Sequence, residues 1–170
     1  MGADTVQAKI NILVGTMTGT AEMVAQEVEQ VLRAEGHDVA LCMMNDCGAE
    51  VFEASRTFLI CTSTYGFGNL PDNALDLFEA LESTRPDLSG VRYGVIALGD
   101  GTYGDTFAQG GIRFDALLTE LGARRAGEVL THDANASTLP EEVAAQWALE
   151  WARNDLVPTA GTDTERGSQS

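Results

Sequence analysis

Apolar residues in this chain follow two rhythms. Short continuous runs, rich in β-branched residues, occupy positions 10–14, 38–44, 56–62 and 91–98, and such runs read as buried strands. Between them apolar residues recur at helical spacing. Ala21, Val24, Ala25, Val28 and Leu32 share one face, and Phe114, Leu117, Leu118 and Leu121 share another. Residues 72–83 read as a helix that offers Leu75, Phe78, Ala80 and Leu81 to the core. Gly36 and Gly122 stand where the first and third helices end. Residues 124–131 are expected as a fifth strand. Residues 140–156 are expected as a last helix, with Val143, Trp147 and Trp151 spaced to pack on the sheet.

Strands therefore alternate with helices, and the strands are apolar on both faces. This predicts an α/β fold, a doubly wound five-stranded parallel sheet of order 2-1-3-4-5 with helices on both faces. One domain is expected over residues 8–157. The polar residues 158–170 are expected as a disordered tail. In such a fold, ligands bind at the carboxyl ends of the strands, beside the switch point between the first and third. The loops expected there are residues 16–21, 63–71 and 99–107.

The first of these loops has the composition of an anion site. Gly15 ends the first strand, Thr16, Thr18 and Thr20 supply hydroxyls, and Gly19 lets backbone come close to a ligand. The first N–H groups of the following helix have no intrahelical partner, and the helix dipole favours negative charge there. No Lys or Arg lies between Lys9 and Arg33, so backbone and hydroxyls would neutralise a bound phosphate. The competing reading is an ordinary N-cap with threonines in a turn. Each of the other two loops holds one tyrosine among glycines, Tyr65 and Tyr103. Two aromatics with a phosphate cradle between them suit a flat ring bearing a phosphate tail.

Charge changes the picture of partners. Ten Lys and Arg against 26 Asp and Glu give a net charge of −16. Nucleic acid and anionic membranes are poor partners for such a field, and a basic protein surface is a good one. There is no apolar run long enough to span a membrane, and the N-terminus lacks a signal-peptide core. The three cysteines, Cys42, Cys47 and Cys61, are odd in number and form no CxxC, which points to a reducing, cytoplasmic compartment. Cys42 and Cys61 sit in apolar runs and read as core residues. His37 and His132 are isolated in sequence and read as structural.

Three motifs, in order and on the expected loops, carry a resemblance: GTMTGTAE (15–22), STYGFGNLPDNA (63–74) and LGDGTYGDTF (98–107). With RPDLSGVRYG (85–94), the chain resembles short-chain flavodoxins of the MioC-like type. It is also similar to the FMN domain of diflavin reductases such as cytochrome P450 reductase. The similarity runs from about Lys9 to Leu156.

The resemblance implies FMN as cofactor. Thr16, Met17, Thr18, Gly19, Thr20 and Ala21, with Ser63, would hold the 5′-phosphate. Tyr65 and Tyr103 would cover the two ring faces, and the Gly66 carbonyl would meet flavin N5. Leu98, Gly99 and Asp100 would line the pyrimidine side through backbone groups. Thr64, Asp105 and Phe107 complete the implied contacts. Gly104 stands as an extra residue between Tyr103 and Asp105 relative to the family pattern. The implied function is electron carriage rather than enzymatic turnover. A monomer would pass single electrons from an FAD-containing NAD(P)H reductase to an acceptor redox enzyme such as a P450 or a radical enzyme. Stacked electron-rich rings and a −16 field both disfavour an anionic reduced flavin and so lower its reduction potential. The competing implication is an FMN-dependent NAD(P)H:quinone reductase. That activity needs a nicotinamide site, and no second basic or glycine-rich element remains in the sequence to build one.

Overall fold

The sheet is built outward from β1 (Lys9–Gly15), whose residues after Lys9 are all buried. In a computed structural model, which describes residues 9–16, 19–53, 56–64, 70–99, 108–133 and 136–155, β1 pairs in parallel on both sides. On one side lies β2 (Asp38–Met43) and on the other β3 (Thr57–Thr62). β3 pairs in parallel with β4 (Arg92–Gly99), and the order β2-β1-β3-β4-β5 is the expected one. The expected tail, 158–170, lies outside the described residues.

Alternation along each strand sends side chains to two separate cores. Ile10, Ile12, Val14, Leu59, Cys61 and Ile96 meet α1 (Thr20–Ala34) and α4 (Pro140–Glu150) on one face. Leu13, Phe58, Ile60, Tyr93 and Val95 meet α2 (Asp72–Thr84) and α3 (Gln109–Glu120) on the other. α1 buries the five residues that its periodicity selects, Ala21, Val24, Ala25, Val28 and Leu32.

The expected fifth strand is divided. β5 (Arg124–Arg125) pairs Arg92 and Tyr93, and β6 (Leu130–Asp133) pairs Ile96 through Gly99. Between them Gly127 turns the chain at φ 77°, and Trp151 packs on the face of β4 beside this break. Its ring lies against Gly94, where a Cβ would stand 2.7 Å from the indole. Its Nε1–H donates to the Ala126 carbonyl at 2.9 Å, taking an acceptor that a continuous strand would use in the ladder.

Other expectations are corrected in detail. α2 buries Ala74, Leu77, Phe78 and Leu81. Leu75 is 38% exposed, because at 100° per residue it falls on the outer face with Asp72, Asp76 and Glu79. α4 ends at Glu150, and Trp151–Asp155 continue as a wider π turn. Trp151 is buried as expected, whereas Trp147 is half-buried and stacks on it at 5.8 Å. The polar connection after β2 holds two 3-10 turns, Met44–Asp46 and Ala49–Glu53, that bury Met44 and Phe52. Cys61 is a core thiol, but Cys42 is half-buried and joined to Cys47 by a disulfide.

Candidate cofactor site

β1 and β3 leave the sheet side by side. Gly15 is in register with Thr62, and the Ser63 N–H donates to the Gly15 carbonyl at 2.9 Å. The loops after the two strands therefore emerge together at the switch point of the sheet.

The chain turns from β1 into α1 within four residues. Gly19 is the N-cap, with φ 95° and no capping side chain. That φ belongs to the left-handed region, where glycine carries little strain. A Cβ at Gly19 would meet no atom of the described residues within 4 Å, which leaves space beside this helix end. The cap itself is glycine, and threonine supplies the turn chemistry beside it. Thr16 Oγ1 accepts the Gly19 N–H at 2.9 Å. The N-cap of α1 thus supplies no side-chain acceptor to the first turn, and the N–H groups of a helix N-terminus favour an anion. Ala21 is fully buried in the core, so only its amide can face that space.

A residue that sequence reasoning missed anchors this turn. Asn73, on the first turn of α2, accepts the Thr16 N–H on Oδ1 at 2.7 Å. Its amide Nδ2 donates to the Val14 carbonyl at 3.3 Å and to Asn45 Oδ1 at 3.2 Å. One side chain therefore ties the end of β1, the loop after β2 and the start of the cradle. The available signal was its place in the motif PDNA, polar and early in a helix.

The second loop is tied differently. Thr64 Oγ1 accepts the Gly110 N–H at 2.9 Å, joining the exit of β3 to the start of α3. Its hydroxyl ties the two loops together. Ser63 is half-buried at the same rim. On the far side, the Leu98 side chain lies in the core shared with α1 and α4, leaving only its backbone for a ligand. Gly99 ends β4 in register with Asp133. His132 is buried with Nε2 at 3.0 Å from Thr138 Oγ1, a structural role as expected. Met17, Thr18, Tyr65, Gly66, Asp100, Tyr103, Asp105 and Phe107 lie outside the described residues.

Among the described residues no group of three or more His, Cys, Asp or Glu could hold a metal. None of their helices is long and apolar enough to cross a membrane. The outer face of α2 is acidic, with Asp72, Asp76 and Glu79 exposed around Leu75.

Comparison with known proteins agrees with this geometry. The family model described as Flavodoxin matches residues 12–147. Flavodoxin YqcA of Pectobacterium carotovorum subsp. carotovorum is 43% identical over 150 residues, 88% of this chain and 97% of that protein. Protein MioC of Escherichia coli (strain K12) is 34% identical over 144 residues, covering 85% and 96% of the two chains. Among solved structures, a flavodoxin from Pseudomonas aeruginosa carrying one cysteine-to-serine substitution superposes with a TM-score of 0.78 at 38% identity, over 85% of this chain and 97% of that one. With a family match over most of its length and a switch-point cradle of this shape, the chain belongs to the flavodoxin family.

Proposed function

We propose that this flavodoxin-family chain is an FMN-binding electron carrier that takes single electrons from an FAD-containing NAD(P)H reductase and delivers them to an acceptor redox enzyme. The observation that supports it best is the turn from β1 into α1. It closes on Gly19 without a capping side chain and opens beside the exit of β3. This donor set suits a terminal phosphate monoester, so FMN fits better than FAD with its bridging diphosphate.

The backbone and hydroxyls of Thr16, Met17, Thr18, Gly19, Thr20 and Ala21, with Ser63, hold the phosphate. Thr64, Tyr65, Gly66, Leu98, Gly99, Asp100, Tyr103, Asp105 and Phe107 surround the ring. FMN supplies the redox chemistry, one electron at a time, and the protein binds, tunes and presents it. By accepting the Thr16 N–H, Asn73 fixes the start of the cradle before any ligand arrives, which reduces the ordering that binding requires. The exposed carboxylates of Asp72, Asp76 and Glu79 present a negative face to a basic partner.

The test is purification under mild conditions, followed by anaerobic reduction. A yellow protein with one FMN per chain, left oxidised by NADPH alone and reduced when a reductase is added, supports the carrier. A protein that takes up no FMN overturns the cofactor. Rapid NADPH oxidation by the purified protein alone, with reduction of a quinone, makes it a reductase instead.

A further inference from the structure

Cys42 and Cys47 close a short loop that touches the cradle from behind. Cys42 lies near the end of β2 and Cys47 just past the first 3-10 turn, and the structure joins their sulfurs. Both are half-buried at the rim of the sheet, within reach of solvent. Cys61 does not compete, since burial pushes its thiol up to about 12.

The enclosed residues lead directly to the cradle. Met44 is buried with its sulfur 3.1 Å from where a Cβ of Gly15 would stand. Asn45 Oδ1 accepts from Asn73, and Asn73 accepts the Thr16 N–H. A five-residue step from Cys42 to Cys47 is thus linked through two asparagines to the turn that holds the phosphate.

We propose that Cys42 and Cys47 are a reversible thiol–disulfide exchange site whose oxidation state sets how firmly the cradle binds its phosphate ligand. Its substrate class is a disulfide, either a small molecule or a protein. A thiolate of the pair attacks the partner disulfide and forms a mixed disulfide, and one partner thiol leaves. The second cysteine displaces the other partner thiol. Two Cys thiols lose two electrons and two protons in total, one S–S bond forms and one breaks, and the partner leaves as two thiols. The disulfide holds the loop of residues 43–46 in the arrangement that supports Asn73, and the dithiol releases it. Binding and oxidation are then linked reciprocally, so each favours the other by the same factor.

The coupling to FMN rests on the proposed function, and the exchange site does not. The first measurement therefore uses no flavin. The flavin-free protein is equilibrated in buffers of reduced and oxidised glutathione, alkylated under denaturing conditions and mapped by mass spectrometry. The expected result is an intramolecular Cys42–Cys47 disulfide that appears and disappears across the series while Cys61 stays a thiol. Thiols that persist throughout, or only mixed glutathione adducts, overturn the exchange site.

The second measurement is FMN affinity, by quenching of flavin fluorescence, in the disulfide and dithiol forms. The disulfide form is expected to bind about fivefold more tightly or better, and Cys47→Ser is expected to bind like the dithiol under both conditions. Equal affinities of the two forms overturn the coupling. Absence of FMN binding in both forms overturns the proposed function and the coupling together, while the mapping still decides the exchange site.

Discussion

Replacing Asn73 with alanine tests whether the cradle is held in shape before a ligand arrives. The substitution removes the acceptor of the Thr16 N–H, a bond of 2.7 Å, and two longer donations to Val14 and Asn45 at 3.3 and 3.2 Å. A net intramolecular hydrogen bond contributes about 1 kcal/mol, and a buried N–H left without a partner costs about 1–3 kcal/mol. Thr16 is only half-buried, so water recovers part of that cost. The two long bonds contribute at the low end of the range. The expected loss of stability is about 1–2 kcal/mol, read as a lower urea midpoint of the flavin-free protein. The effect on binding is separate. Once Thr16 is untethered, FMN must order it, and fixing one residue costs about 1–2 kcal/mol. That corresponds to roughly tenfold weaker FMN binding, since about 1.4 kcal/mol is a factor of ten. Asn73→Asp keeps the acceptor for Thr16 but loses both donations and places a negative charge behind an anion site. It is expected to bind FMN more weakly than Asn73→Ala while unfolding at a higher urea concentration. If Asn73→Ala loses stability but holds FMN within twofold of the parent, Asn73 is a fold contact only and preorganisation of the cradle is wrong.

Other perturbations probe the ring, the docking face and the response to acid. Tyr65→Ala and Tyr103→Ala should each weaken FMN binding by about 1–3 kcal/mol if the rings stack on the flavin, and potentiometry should show the reduced flavin forming more easily. Unchanged affinity and potential in both variants would remove the stacking assignment. Electron transfer from a basic-faced reductase should slow as salt rises, since screening weakens charge-steered encounter. Asp76→Lys combined with Glu79→Lys should lower the second-order rate in stopped flow without altering FMN affinity; a salt-independent rate speaks against an acidic docking face. Acid should weaken the fold in two stages. Burial holds the His37 imidazole below its ordinary 6.5, against the pull of Glu35, so the folded state binds fewer protons and stability falls as pH drops below 6.5. The hydrogen bond from Arg153 holds the Glu35 carboxyl below its ordinary 4.5, so that contribution persists to lower pH and is lost as pH falls below 4.5. Melting temperature measured by circular dichroism against pH should lose its upper slope in His37→Gln and part of its lower slope in Arg153→Ala.

What the sequence revealed and what it hid follow from how far each interaction reaches along the chain. The strands and α1 were legible because their signals are local, an apolar run or a repeated face, and the buried set of α1 came out residue for residue. Order 2-1-3-4-5 followed from alternation and handedness, which act at the level of whole elements. The break between β5 and β6 has one local signal, Gly127 at φ 77°, while the contacts of Trp151 with Gly94 and Ala126 come from far along the chain. Leu75 was misplaced although the start of α2 was read correctly, because the buried stripe is Ala74, Leu77, Phe78 and Leu81 at helical spacing and Leu75 falls outside it.

The same division runs through the site. The turn from β1 into α1 was legible as a glycine–threonine turn because these residues carry their chemistry in their own backbone and hydroxyls. The support beneath it was not, because it is made of contacts between segments far apart in sequence. Thr16 and Asn73 are separated by 57 positions, and Thr64 and Gly110 by 46. An asparagine in the first turn of a helix looks like any other polar residue until the fold places its amide between two strand ends. The pairing of Cys42 with Cys47 was hidden in another way. Parity and the absence of CxxC are rules about compartments and short motifs, and both are silent on a strand end meeting the turn that follows it. The contacts that hold the turn in place become visible only when the sheet is assembled.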